Sequence, residues 1–103
     1  MPGESRFDPT IHAPARFRLC AALRPVDALG YSSLVKVLSI SESQLSKTIR
    51  SLAEVGYATV TKGPSDGRGD LRHTTTVRLT ELGRWAYDGH VAALHEIIEQ
   101  RQT

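Results

Sequence analysis

Five polar side chains, Ser43, Gln44, Ser46, Lys47 and Arg50, crowd into residues 43–50. Their chemistry is recognition by hydrogen bonds: hydroxyls and a carboxamide that donate and accept, and two cations that only donate. Arg50 carries a planar fork that matches guanine O6 and N7 together, whereas Lys47 is a point charge suited to a base or a phosphate. At about 100° per residue, Ser43, Lys47, Arg50 and Glu54 share one side of a helix, with Gln44 and Ser46 on its flanks. Leu45, Ile49 and Leu52 form the opposite, apolar stripe. A second set, Lys62, Arg68, Arg72 and His73, stands in or beside the run Gly63–Asp70. Cations on a glycine-flanked loop follow phosphates more readily than they read base edges, and His73 is expected to meet phosphate or solvent.

These side chains need a scaffold, and the flanking sequence supplies one. Ser41 precedes the apolar stripe with Gln44 three residues on, a capping box that starts a helix over 42–55. Gly56 follows where a left-handed residue ends such a helix. Upstream, Ser33–Leu38 reads as a short helix with Ser32 as its N-cap, and Ser39-Ile40 makes the turn between the two. A short helix, a tight turn and a polar-fronted helix form the motif that enters a major groove. Downstream, Tyr57–Lys62 and Thr74–Leu79 are β-branched strands around turn residues, and Leu29-Gly30-Tyr31 is a candidate third strand. A two-stranded hairpin must pack on something to be stable, so this one is expected to lie on the helices as a wing over 62–74.

The stretch LSKTIRSLAEVGYATVTKG, followed by a Gly/Asp/Arg loop and VRLTELGR, resembles the winged-helix transcriptional regulators of the MarR type, closest to their compact branch. His12–Leu19 resembles the first helix of that branch and of the related ArsR-type regulators. The resemblance spans roughly residues 9–98. It implies a dimeric regulator that binds double-stranded DNA.

The expected fold class is α+β and mainly helical: a winged helix-turn-helix with a two- or three-stranded wing and a C-terminal dimerisation helix. Residues 1–9 are expected to be a disordered lead, residues 10–103 the winged-helix domain, and residues 80–100 its terminal helix, capped by Thr80. The first helix is expected over Pro14–Arg24, with proline in its first turn. Along the last helix, Leu82, Trp85, Ala86, Ala93 and Ile97 form one apolar stripe. Tyr87, Val91, Leu94 and Ile98 form another about 150° away. A helix apolar on two sides is buried on both, so the second stripe is assigned to a homodimer interface.

The chain has 103 residues, enough for one domain, and 40% hydrophobic with 23% charged residues is ordinary for a globular protein. Net charge is only +2, so the distribution says more than the sum. Lys47, Arg50, Lys62, Arg68, Arg72 and Arg78 enrich the winged part in cations, while Glu81, Asp88, Glu96 and Glu99 make the tail acidic, as suits one face turned to phosphates. No apolar run is long enough to span a membrane and no signal-peptide core opens the chain. A single cysteine, Cys20, forms no internal disulfide; it sits in an apolar run and reads as a small buried hydrophobe.

No nucleophile elbow, phosphate-binding Gly-Lys-Ser/Thr loop or dinucleotide-binding glycine motif is present, so no catalytic residues and no cofactor are assigned. Asp88, His90, His95 and Glu99 resemble the last-helix metal site of some ArsR-type sensors, but their spacing departs from it, and no metal ligands are assigned. His12 is read as structural. The expectation is a cytoplasmic, nucleoid-associated, homodimeric repressor acting at a pseudo-palindromic operator, its effector not specified by the sequence. The alternative is a winged helix used as a protein-protein interaction module.

Overall fold

The computed structural model describes residues 5–63 and 75–101, and the account below is of those residues. Eight elements follow one another: α1 (Pro9–His12), α2 (Pro14–Leu23), β1 (Leu29–Gly30), α3 (Tyr31–Leu38), α4 (Glu42–Glu54), β2 (Ala58–Lys62), β3 (Thr75–Leu79) and α5 (Glu81–Arg101). The strands form one antiparallel sheet in the order β1-β3-β2, with Val60 opposite Val77 and Gly30 opposite Thr76. The third strand expected near residue 29 is therefore present, and β3 is the central strand. The fold class is that expected, and from α2 onward so is the order of the elements.

One core holds the helices to the sheet. Ile11, Leu19, Leu23, Leu34, Leu45, Leu52 and Val77 are fully buried, together with Cys20. Burial pushes the Cys20 thiol up to about 12, with the Asp8 carboxylate adding to the shift. A thiol held protonated is a poor nucleophile, which fits the reading of Cys20 as a core hydrophobe.

Local signals explain most boundaries. Ser41 Oγ accepts from the Gln44 backbone N–H at 3.0 Å and starts α4. The reciprocal half of the expected capping box is absent: the Gln44 carboxamide turns to Thr48 Oγ1 at 3.4 Å instead. Gly56 is left-handed, with φ of 82°, and closes the helix as expected. Thr80 Oγ1 accepts from Gly83 N–H at 2.9 Å and caps α5. Ser32 is not the N-cap of α3; that position is Gly30, which makes no side-chain cap. Because Gly30 pairs with Thr76 in the sheet, the chain passes from strand to helix without a linker, and Ser32 is already inside the helix.

The N-terminal segment differs from expectation more. Residues 5–9 were expected within the disordered lead, yet they lie along α5. Arg6 N–H donates to the Gly89 carbonyl at 2.9 Å, Ser5 Oγ to Glu96 at 2.9 Å, and the Arg6 guanidinium stands 4.4 Å from the Trp85 ring. Asp8 Oδ1 then caps α1 by accepting from Thr10 and Ile11 N–H. An Asp-Pro pair is an N-cap followed by a proline at the first helical position, a signal the composition of the lead obscured.

Helix α5 packs on a face that matches the first stripe only in part, sharing Ala86 and Ala93 with it. Gly83, Ala86, Gly89, His90 and Ala93 are buried. Leu82 and Ile97, expected on the packing stripe, are 48% and 46% exposed. Small residues line the buried face because the helix approaches its neighbours closely. A Cβ at Gly83 would collide with the Tyr57 carbonyl. From His95 to Gln100 every residue is exposed, so the C-terminal end of α5 projects from the body.

Candidate nucleic-acid interface

Helix α4 has a dry back and a wet front. Leu45, Thr48, Ile49 and Leu52 are buried, while Ser43, Gln44, Ser46, Lys47 and Arg50 are all exposed. Thr48, which the apolar stripe did not include, is tolerated inside because its hydroxyl donates to the Gln44 carbonyl at 2.8 Å. Among the described residues none pairs with Lys47 or Arg50, leaving both cations open to solvent.

The sheet brings Lys62 to the same side. Arg50 and Lys62, with Tyr31, Ser46, Ile49 and Val60, line an open groove between α4 and β2. Arg68, Arg72 and His73 of the expected wing lie outside the described residues. The described part of the site therefore joins one helix face and one strand end, with cations from both.

Two residues of this surface were not singled out from the sequence. Tyr31 opens α3, and its hydroxyl donates to the Glu42 carbonyl at 2.7 Å and touches Ser46 Oγ at 2.6 Å. Arg18 donates to the Leu38 carbonyl at 2.7 Å, satisfying the C-terminus of α3 just before the turn. In that turn Ser39 takes φ of 54°, a left-handed conformation uncommon outside glycine and asparagine. Only the tertiary approach of α2 and α3 to α4 reveals these contacts; no spacing along the chain encodes them.

Behind the interface, α5 is tied to the body by polar groups. Arg24 forms a two-pronged pair with Asp88 at 2.8 and 3.0 Å, and the hydrogen bond from Arg24 holds the Asp88 carboxyl below its usual range. Arg84 donates to the carbonyls of Arg24 and Val26 at 3.1 and 3.0 Å. His90 is fully buried and accepts the Asp8 N–H on Nδ1 at 3.0 Å, while its Nε2 lies 3.2 Å from His12 Nδ1. With Nδ1 accepting, the His90 proton sits on Nε2 and donates to His12. Asp88 and His90 thus face separate partners rather than one centre, and among the described residues no group of three or more histidine, cysteine or acidic side chains could hold a metal.

Of the stripe assigned to a dimer interface, Val91 and Leu94 are half-buried and Ile98 is 54% exposed. Tyr87 packs inward, its ring 5.8 Å from that of Phe17. No helix among the described residues is long and apolar enough to cross a membrane.

Residues 15–98 match the winged helix DNA-binding domain family. Among solved structures, the transcriptional regulator homologue protein from Pyrococcus horikoshii OT3 superposes with a TM-score of 0.82 at 23% identity, covering 91% of this chain and 89% of that one. The apo form of MarR from E. coli gives 0.69 at 23% identity over 84% of this chain and 61% of its own. The adhesin competence repressor AdcR from Streptococcus pyogenes gives 0.60 at 24% identity over 94% and 64%. The chain is similar to all three in fold and spans less than two thirds of the length of the last two. No curated protein sequence matches it.

Proposed function

The chain belongs to the winged helix DNA-binding domain family, and from that premise we propose that it is a transcriptional regulator acting as a homodimer on a pseudo-palindromic operator. One observation carries the reading: the five polar residues of α4 stand exposed on the side opposite a fully packed apolar back. A helix built that way can lie in a major groove without disturbing the core. Arg50 is the proposed reader of guanine, Lys47 a base or phosphate contact, and Ser43, Gln44 and Ser46 the contacts nearest the helix N-terminus. Lys62 holds the backbone beside them, and Arg68, Arg72 and His73 extend that contact as a sequence-independent wing.

The homodimer is supported by the projecting end of α5, where Ile97 and Ile98 are exposed beside the half-buried Val91 and Leu94. A twofold pair of such helices would present two copies of α4 to successive half-sites. Repression at a cytoplasmic, nucleoid-bound operator is the proposed mode, in keeping with the name of the structurally similar Streptococcus pyogenes repressor. Catalysis forms no part of the reading, which accords with a family of DNA-binding domains.

Selection from a random duplex pool tests it. The expected result is enrichment of an inverted repeat, with affinity falling steeply as salt rises. Recovery of unenriched duplexes, or binding indifferent to salt, would instead mark a winged helix used for protein-protein interaction.

A further inference from the structure

Counting protons at Tyr31 shows how the Ser46 hydroxyl is oriented. The Tyr31 hydroxyl lies 2.7 Å from the Glu42 carbonyl oxygen and 2.6 Å from Ser46 Oγ. A phenol has one proton, and a carbonyl can only accept. The Tyr31 proton therefore goes to Glu42, and the contact with Ser46 is closed by the serine proton pointing at the phenol oxygen. The phenol is well held for this task. Its ring packs against the core, and its backbone leaves β1 directly, where Gly30 pairs with Thr76.

Ser46 is exposed on α4, between Ser43 and Arg50 along the helix. With its only proton turned inward, it shows the groove lone pairs and no donor. A freely rotating serine suits either a donor or an acceptor on a base edge. A serine locked as acceptor suits only the exocyclic amino groups, N4 of cytosine or N6 of adenine, and is mismatched to O6 of guanine and O4 of thymine.

We propose that Tyr31 is a specificity-determining positioning residue: it fixes Ser46 as an acceptor, so that the base facing Ser46 carries an amino group. This rests on the reading of α4 as the helix that enters the major groove. Tyr31 itself touches no base in this account and acts through the serine.

The test is selection from random duplexes by the unmodified protein, by Tyr31→Phe and by Ser46→Ala. Tyr31→Phe keeps the packed ring and removes only the hydroxyl, and circular dichroism checks that both variants fold. The unmodified protein should favour cytosine or adenine over guanine or thymine on one strand at one position of each half-site, by about fivefold or more. Both variants should lose that preference at that position while retaining the rest of the site. A purely structural role for Tyr31 would weaken all positions alike and would overturn the proposal. So would a Ser46-dependent preference that sorts A·T from G·C pairs whichever strand carries the amino base, an amino preference unchanged in Tyr31→Phe, or the absence of any position that responds to Ser46→Ala. If no duplex is enriched by the unmodified protein, the functional reading falls and the proposal with it.

Discussion

Tyr57 donates its hydroxyl to Asp8 Oδ2 across 2.6 Å, joining the segment that leaves α4 to the N-terminal segment. Asp8 is 8% exposed and has two further roles: its other carboxylate oxygen caps α1, and its backbone N–H reaches His90 on α5. Three parts of the chain remote in sequence, namely the N-terminal segment, the exit of α4 and the terminal helix, thus meet at one residue, Asp8. Burial, and then the bond to Asp8, push the Tyr57 hydroxyl up to about 12, so it remains a donor throughout the neutral range.

Tyr57→Phe removes that donor and leaves a buried carboxylate oxygen short of a partner. A hydrogen bond to a charged group contributes about 1.5–3 kcal/mol, so denaturant unfolding should show a loss of about that size. Asp8→Ala removes the cap of α1 as well and should cost more. Equal stability of Tyr57→Phe and the unmodified protein would show that the contact contributes nothing.

The His90 ring yields a pH dependence of definite sign. Burial first, then the neighbouring His12, lower its pKa below the ordinary histidine value, with only Asp8 opposing. Phe7 and Phe17 complete its surroundings, with ring centroids at 4.8 and 5.6 Å. The folded state therefore favours neutral His90, and the unfolded chain takes up the proton at higher pH. Stability from this group is full above the ordinary histidine pKa and is lost as pH falls from there through the lowered value. Protonation would also place a donor on Nδ1 against the Asp8 N–H. Unfolding midpoints measured from pH 8 down to pH 5 should decline, and His90→Gln should flatten the decline. A midpoint that rises on acidification would contradict the assignment.

How far the sequence could be read depends on where the governing forces lie. Helix α4 was legible because its cap, its apolar stripe and its terminal glycine are all local to residues 41–56. The strands were legible from β-branched alternation, and even the two-residue β1 was found. Contacts made by tertiary approach were not. Gly83 lies in the VRLTELGR stretch that carries the resemblance, but its reason is the Tyr57 backbone pressed against it. The buried face of α5 was read only in part: Ala86 and Ala93 were placed on it, but Gly83 and Gly89 carry no hydrophobic signal yet permit the closest packing. A four-residue helix after Asp8 was lost in a segment that looked too polar to fold. On α4, the exposure of the five polar residues follows from helical spacing, whereas Tyr31 sits in another element and bears on them only through the fold.

Dimerisation through α5 is open to a direct test. Leu94→Glu places a charge on the stripe of Val91 and Ile98, and a buried unpaired charge is strongly destabilising to an interface. Sedimentation should show the unmodified protein as a dimer at micromolar concentration and the variant as a monomer with retained helical content. An unmodified protein that sediments as a monomer would remove the dimer from the account.

The central claim, that α4 reads sequence in the major groove, is tested most directly at Arg50. The side chain is exposed and unpaired among the described residues, so Arg50→Ala should leave folding intact. Competition between cognate and scrambled duplexes should show a loss of about 1–3 kcal/mol confined to the cognate site, lowering the ratio of the two affinities. An unchanged ratio would contradict the account.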